Sequence, residues 1–282
     1  MNRLKIGITN SSYGVYEFKE AIKKIGEQGY DCIDYQGFVD IETEFFRLPE
    51  KEFMKVLAEQ KALFSSHGLE VSQAHAPWRT PKDGDPEERQ KWLTAMKKAI
   101  RGTNALECHR FVVHPLFPYM ETDEHPDEVW KMNEEVLATL ADYAKEYGVT
   151  VCLENMPFEN HPIHSTEQIL ALVRDVDHPN LKVCFDTGHA NCTGENVANS
   201  VRLLGRDLLK IIHVHDNYGE SDLHNAPYDG TVDWSEFIEA LYEIGYGGVM
   251  NLEVKIPEDL DEEQAREAEL SLVKTAKLFA GE

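Results

Sequence analysis

The chain has 282 residues, of which 42% are hydrophobic and 28% are charged, a composition typical of a globular protein with a large core. Asp and Glu number 51 against 28 Lys and Arg, and the formal charge of −23 disfavours nucleic acid as a partner, because such binding needs cations against phosphates. No apolar run approaches the roughly 18 residues that span a membrane, and a strand pattern that starts by Leu4 leaves no room for a signal peptide.

Eight short apolar segments alternate with helical patterns along the chain, and each is predicted to be a β-strand. They are rich in Val, Ile, Leu, Phe and Cys and have no regular polar face, which is typical of parallel strands covered on both sides. The predicted strands are Lys5–Thr9, Cys32–Tyr35, Val71–His75, Arg110–His114, Thr150–Glu154, Leu181–Asp186, Lys210–His215 and Val249–Val254.

The segments between the strands carry helical periodicity and helix start signals. Asp85, followed by Pro86 and Glu88, predicts a capped helix start, and Ser165–Gln168 and Asp233–Glu236 both fit the spacing of a capping box. Glycines near predicted helix ends favour left-handed caps. These glycines are Gly26, Gly68, Gly148 and Gly245.

The element order predicts a single domain over residues 1–282 with the fold of a (βα)8 TIM barrel. Parallel strands joined by helical crossovers, repeated eight times without a linker, are typical of that fold. A doubly wound sheet is the alternative. It is disfavoured because the sequence TNSSYGVYE, which begins at the end of the first strand, lacks the glycine-rich phosphate fingerprint of dinucleotide-binding folds.

Six consecutive predicted strands end in residues that commonly bind metal ions. In a TIM barrel these ends meet at one rim, where the active site lies. Burying so many ionisable groups without compensation would be costly, and a divalent cation is the natural compensation. Imidazole together with carboxylate suits Zn, Mn, Fe or Co better than Ca. The residues at these ends are His75, His114, Glu154, Asp186, His189, His213, His215, Asp216 and Glu253.

In this order, the motifs HAPW, HP, LENMP, FDTGH, HVHD, DLH and LE resemble those of the xylose-isomerase-like TIM-barrel superfamily. The resemblance covers essentially the whole chain. The superfamily includes sugar-phosphate isomerases and epimerases, and also metal-dependent apurinic/apyrimidinic endonucleases. The motifs identify the superfamily but distinguish poorly between its branches, so both are considered.

The epimerase branch implies one divalent metal ion (Mn, Zn, Co or Mg) with four protein ligands. Matched motif by motif, the ligands are Glu154, Asp186, His213 and Glu253. His213 is preferred to His215 because the ligand in this branch stands three residues before an acid, here Asp216. His215 has the same strand parity and could also face the site.

The resemblance also implies roles for these residues in catalysis. The metal would polarise the carbonyl of an open-chain sugar and stabilise the enediolate, while Glu154 and Glu253 exchange a proton with the substrate carbon. Return to the opposite face of the same carbon gives an epimer, and return to the neighbouring carbon gives an aldose–ketose isomer. His114 and His189 would contact substrate hydroxyls or a phosphate. Trp78, which follows the third strand, either forms a wall of the sugar site or packs in the fold.

The endonuclease branch implies up to three zinc ions that activate water against a phosphoester. The additional ligands would come from His75, His114, His189, His215, Asp222 and His224. A metal-dependent dehydratase or lyase on the same fold is a further alternative.

The mouth loops argue against a DNA substrate. The loop after the seventh strand has no Lys or Arg, and neither does the loop after the fourth strand, which carries acids instead. Two cations, Arg79 and Lys82, follow the third strand. The acids of the fourth loop are Glu121, Asp123, Glu124, Asp127 and Glu128.

We therefore predict a metal-dependent isomerase or epimerase of a small sugar, sugar phosphate or keto-sugar acid. The few cations at the mouth favour an unphosphorylated sugar, a keto acid or an inositol-related compound as substrate. No nucleic acid or membrane partner is expected, and the sequence allows a homo-oligomer. Five cysteines without CxxC spacing, with Cys152 and Cys184 inside apolar runs, favour free thiols and a cytoplasmic location.

Overall fold

Eight parallel strands form a closed barrel in chain order in the computed structural model, which describes residues 3–81, 85–117, 125–257 and 259–281. Each strand pairs with the next, and the last pairs with the first, where Lys5 lies opposite Val249. The predicted TIM barrel is confirmed. The strands are β1 (Lys5–Thr9), β2 (Cys32–Tyr35), β3 (Glu70–His75), β4 (Arg110–Val113), β5 (Thr150–Glu154), β6 (Leu181–Asp186), β7 (Leu209–Val214) and β8 (Val249–Leu252).

Helices follow the strands and cover the outside of the barrel. They are α1 (Phe18–Gln28), α2 (Glu44–Arg47), α3 (Glu50–Ser66), α4 (Pro86–Ala105), α5 (Pro126–Glu146), α6 (Thr166–Val176), α7 (Thr187–Cys192), α8 (Val197–Leu208), α9 (Trp234–Ile244) and α10 (Glu262–Ala280). No helix within the described ranges combines the length and apolarity needed to cross a membrane.

The predicted strand ends are wrong by one or two residues at four strands. β3 and β7 each start one residue earlier than predicted, and β4 and β8 end before His114 and Glu253. His215 likewise follows β7 instead of ending it. Ladder pairing stops where the chain turns outward into a loop, which the apolar pattern does not mark. These site residues therefore stand just beyond the strands.

The helix start signals are confirmed, and one of the four glycine predictions is wrong. Asp85 accepts hydrogen bonds from the amides of Glu87 and Glu88, and Ser165 forms a complete capping box with Gln168. Gly68, Gly148 and Gly245 have positive φ. Gly26 instead lies inside α1, where a Cβ would stand 2.6 Å from the carbonyl oxygen of His67. The left-handed cap of α1 is Gly29.

The core has two parts. Most buried apolar side chains lie in one cluster that joins the barrel to the helices. A second, small cluster contains Val112, Cys152, Cys184 and Ile211, one residue from each of the strands β4 to β7. We call it the interior layer. The five cysteines are unpaired, as predicted, and Cys152 and Cys184 are buried.

Candidate metal and substrate site

Neighbouring strands bring the predicted ligands together at the C-terminal end of the barrel. β5, β6, β7 and β8 are consecutive in the sheet. The register places Asp186 opposite His213 and His213 opposite Asn251. Glu154 ends β5, and Glu253 follows β8 directly. Residues up to 99 positions apart in sequence thus share one end of the barrel.

Three carboxylates converge on one nitrogen of His213. Its Nδ1 lies 2.6 Å from Glu154 Oε1, 2.7 Å from Glu253 Oε2 and 3.8 Å from Asp186 Oδ2. One donor atom from each residue lies within 4.8 Å of the others, a spacing that suits ligands of a single ion. We call Glu154, Asp186, His213 and Glu253 the four-ligand cluster. The sequence prediction named the same four residues.

Electrostatics keep the glutamates of this cluster ionised. Burial raises the pKa of Glu154, but His213 and the neighbouring histidines outweigh it and hold that pKa well below its ordinary value. Burial also raises the pKa of Glu253, and His213 lowers it to about 2. Glu154 Oε2 is buried beside two imidazole nitrogens, neither of which makes a hydrogen bond of good geometry to it. Ionised, incompletely paired carboxylates fit a divalent cation, which would offset their charge.

Asp34 belongs to this site and was missed by the sequence interpretation. Its Oδ2 lies 3.5 Å from His213 Nε2, on the side of the ring opposite the carboxylates, and both side chains are fully buried. Burial raises the pKa of Asp34 to about 6, although His213 opposes the shift. A carboxylate facing the far nitrogen of a ligand histidine fixes its tautomer and orientation. The available signal was an acid inside the apolar strand CIDY of β2.

His75 and His114 form a second group, around the other oxygen of Glu154. Their Nε2 atoms lie 3.4 Å and 3.0 Å from Glu154 Oε2. The indole N–H of Trp78 donates to His75 Nδ1 at 3.0 Å. The same Nδ1 also lies 3.1 Å from the carbonyl oxygen of Ala76, so Trp78 and this carbonyl together hold the ring with Nε2 facing Glu154.

A third group contains His189, His215, Asp222 and His224, whose donor atoms also lie within 4.8 Å of one another. Asp222 Oδ2 lies 3.4 Å from His189 Nε2 and 3.1 Å from His224 Nε2. Burial lowers the pKa of His189, but the charges of Asp186 and Asp222 raise it to about 10. His215 is the link to the four-ligand cluster, because its Nε2 lies 2.9 Å from Asp186 Oδ1.

Asp216, the marker used to choose His213, lies outside these three groups. It anchors the loop between β7 and α9 by accepting hydrogen bonds from the indole of Trp234 at 2.7 Å and from the amides of Tyr228 and Val232. That loop carries Asp222 and His224. Asp216 is therefore positioned to hold the loop in place.

The groups open into a mouth cavity of about 890 Å³. One wall is apolar, with Trp78 and Phe158 about half exposed. Lys255 is the one lysine or arginine among the described residues that line it.

Of the two cations predicted in the loop after β3, Arg79 pairs with an acid of α4, because its guanidinium Nη2 lies 3.8 Å from Glu88 Oε1. Lys82, Glu121, Asp123 and Glu124 lie outside the described residues.

The sequence and the structure of this chain both resemble those of known proteins with a TIM-barrel fold. A family described as xylose isomerase-like TIM barrel matches residues 20–275. The chain is 34% identical over 249 residues to a D-psicose 3-epimerase of Agrobacterium fabrum, covering 84% of this chain and 79% of that protein. It is 25% identical over 249 residues to an inosose isomerase of Bacillus velezensis, covering 85% and 84%. The crystal structure of a D-tagatose 3-epimerase-like protein matches with a TM-score of 0.78 at 26% identity, covering 98% of each chain.

Proposed function

The chain belongs to the xylose isomerase-like TIM barrel family, and from this premise we propose that it is a metal-dependent epimerase or isomerase of a small carbohydrate. The observation that carries the proposal is the convergence of Glu154 and Glu253 on one nitrogen of His213, at 2.6 and 2.7 Å. Relatives named as a sugar epimerase and an inosose isomerase support the same class of reaction.

The four-ligand cluster would hold the ion. When bound, a divalent metal ion supplies Lewis-acid polarisation of a carbonyl and stabilises developing negative charge. Three carboxylates and one imidazole suit Mn, Co, Zn or Mg. Asp34 would orient His213 so that Nδ1 presents its lone pair to the cluster.

The two glutamates would move the proton. Glu154 is fully buried and Glu253 slightly exposed, and both line the mouth cavity, where a substrate carbon would lie. Their lowered pKa values make both carboxylates available as bases at neutral pH. One would remove the proton next to the carbonyl and the other would return it. His75 and His114 would hold the second oxygen of Glu154, and His189 would contact substrate oxygens.

The mouth favours a neutral substrate. Phosphate recognition usually relies on arginine, lysine or helix-start amides, and Lys255 alone of the described lining residues offers such a cation. Trp78 and Phe158 offer apolar surface to the C–H face of a ring or chain. We therefore propose an unphosphorylated keto-sugar or a keto-inositol as substrate, without nucleic acid or membrane as partner.

Solvent hydrogen exchange tests the two-glutamate mechanism. In heavy water, wild-type enzyme should place deuterium on the carbon next to the carbonyl of a ketohexose or inosose, as detected by NMR. Glu154→Gln and Glu253→Gln should each slow this exchange by about 10²- to 10⁴-fold, the usual contribution of a general acid or base. Glu220→Gln, an exposed glutamate on the loop after β7, is the matched control and should exchange normally. Full exchange in both site variants would refute the mechanism.

A second candidate is a trinuclear zinc phosphoesterase, because three groups of donor atoms lie side by side. The mouth cavity disfavours it, since a phosphoester calls for nearby cations and Lys255 is the one lysine or arginine among the described lining residues. Elemental analysis of protein purified without chelator separates the two functions. About one metal ion per chain supports the epimerase or isomerase, and about three zinc ions support the phosphoesterase. A dehydratase or lyase would instead give products that differ in composition from the substrate.

A further inference from the structure

The N-terminal end of the barrel, opposite the four-ligand cluster, contains a second large cavity, of about 1100 Å³. We call it the floor cavity. In a chain of net charge −23, its lining includes six lysines and arginines against two glutamates, Glu70 and Glu107. The cations are Arg3, Lys5, Arg110, Lys182, Arg206 and Lys210. This local reversal of charge marks the floor cavity as a site for an anion.

Part of this charge comes from positions inside the barrel. Arg110 and Lys182 precede Val112 and Cys184 of the interior layer by two residues, so they share the inward face of β4 and β6. Such positions in TIM barrels are usually filled by Val, Ile or Leu.

Among the described residues, two of the six cations pair with carboxylates and four do not. In the floor cavity, Arg3 pairs with Asp31 and Lys5 pairs with Glu70. Within the described residues, Arg110, Lys182, Arg206 and Lys210 form no ion pair with a carboxylate. Arg110 donates instead to the carbonyl of Ser72, and Lys210 to the carbonyl of Arg206. Like charges at close range repel each other, and an anion bound between them would relieve this repulsion.

A side pocket of about 180 Å³ adjoins the floor cavity, with which it shares lining residues, and could hold the anion. Arg110, Arg206 and Lys210 line it together with the backbone of Gly247 and Gly248. Gly248 cannot carry a side chain here, because a Cβ would stand 2.3 Å from the hydroxyl of Tyr246, another lining residue. Three cationic side chains next to a backbone without side chains could each contact a different oxygen of a phosphoryl group.

We propose that the floor cavity binds a phosphorylated small molecule, with one phosphoryl group in the side pocket and the remainder in the larger space. The volume of the floor cavity is that of a small-molecule site. The mouth cavity and the floor cavity have no lining residue in common. The site is therefore separate from the proposed catalytic site, and its ligand need not be the substrate.

Calorimetric titration with inorganic pyrophosphate at physiological salt tests the proposal. Wild-type protein should bind one equivalent. Arg206→Gln combined with Lys210→Gln should weaken binding by about tenfold or more, since charge-assisted hydrogen bonds are lost. Arg206 is exposed and Lys210 half-buried, so this variant should fold. The control pair Lys51→Gln and Lys55→Gln changes net charge equally on the outer surface of α3 and should bind normally.

The Glu154→Gln variant separates the floor cavity from the metal site. It should bind pyrophosphate as wild type does, because pyrophosphate is expected to bind in the floor cavity and not in the mouth cavity, where Glu154 lies. Absence of saturable binding of both pyrophosphate and glucose 6-phosphate, normal binding of a bound probe by the Arg206/Lys210 variant, or loss of its binding in Glu154→Gln would each overturn the proposal. A parallel titration with glucose 6-phosphate tests an organic phosphate as the occupant. Weaker binding of either probe to the Arg206/Lys210 variant than to wild type supports the site.

Discussion

At the scale of single residues, His213 organises the site. Its Nδ1 lies 2.6 Å from Glu154 Oε1 and 2.7 Å from Glu253 Oε2, while its Nε2 faces Asp34 Oδ2 at 3.5 Å. Each ring nitrogen thus faces a carboxylate, and we expect the imidazole proton to lie on Nε2, toward Asp34, once a cation binds at Nδ1. With Nε2 protonated toward Asp34, Nδ1 is free to act as a ligand.

Asp34→Asn should weaken metal binding without preventing folding. The amide is nearly the same size but removes the charge that favours a proton on His213 Nε2, and loss of such partners typically costs about 10- to 100-fold in metal affinity. Competition with a chromophoric chelator measures the change. Asp40→Asn, on the exposed loop after β2, is the matched control. Equal affinity in wild type and Asp34→Asn would show that Asp34 does not act on the metal site.

At the scale of elements, the turn from β6 into α7 combines a helix cap with a ligand. Asp186 caps α7 by accepting from the amide of His189 at 2.7 Å, and its carboxylate also faces His213 and His215. The helix therefore holds the carboxylate in place. Gly188 in the first turn leaves room for the ring of His215 to pack against the backbone.

Gly188→Ala should therefore displace His215. The new Cβ would stand 1.9 Å from His215 Cε1, and backbone strain is not involved because Gly188 does not have positive φ. Overpacking of this kind costs about 1–3 kcal/mol of stability. Chemical denaturation measures the loss. Gly247→Ala, where a Cβ meets no atom within 4 Å, should cost little. Equal stability of the two variants would contradict the packing argument.

At the scale of the whole molecule, barrel closure gathers acidic residues from distant parts of the chain at one mouth. The four-ligand cluster places three carboxylates around one imidazole, in a chain that already carries a net charge of −23. Crowded negative charge destabilises the folded state, and a bound cation reverses this effect. Metal binding and folding stability should therefore be coupled.

Metal loading should raise the free energy of unfolding. At a free metal concentration about a hundredfold above the dissociation constant, binding to the native state alone contributes about 2.7 kcal/mol. Scanning calorimetry of chelator-treated protein, with and without added Mn²⁺ or Zn²⁺, measures the gain. The Glu154→Gln/Glu253→Gln double variant should show little of it. The same gain in the double variant would place the stabilising ion elsewhere.

The sequence by itself determined the barrel and brought the candidate site residues to one rim, because both depend on local signals. Apolar runs marked all eight strands, and the ends of β5 to β8 carried Glu154, Asp186, His213 and Glu253. In a barrel of parallel strands these ends must meet at one rim, so linear order predicted a cluster of ionisable residues there, and the motif resemblance singled out these four. The error at Gly26 was tertiary in origin, because its close contact with His67 cannot be read from neighbouring residues.

Only the tertiary structure decided which side chains face each other. Asp34 meets His213 across the barrel interior, and His215 meets Asp186 across a strand pair. The cations of the floor cavity come from segments spread over most of the chain. Such contacts depend on strand register and barrel closure. These are collective properties that no local stretch of sequence encodes, because a shift of one residue in register turns each side chain to the other face of the sheet.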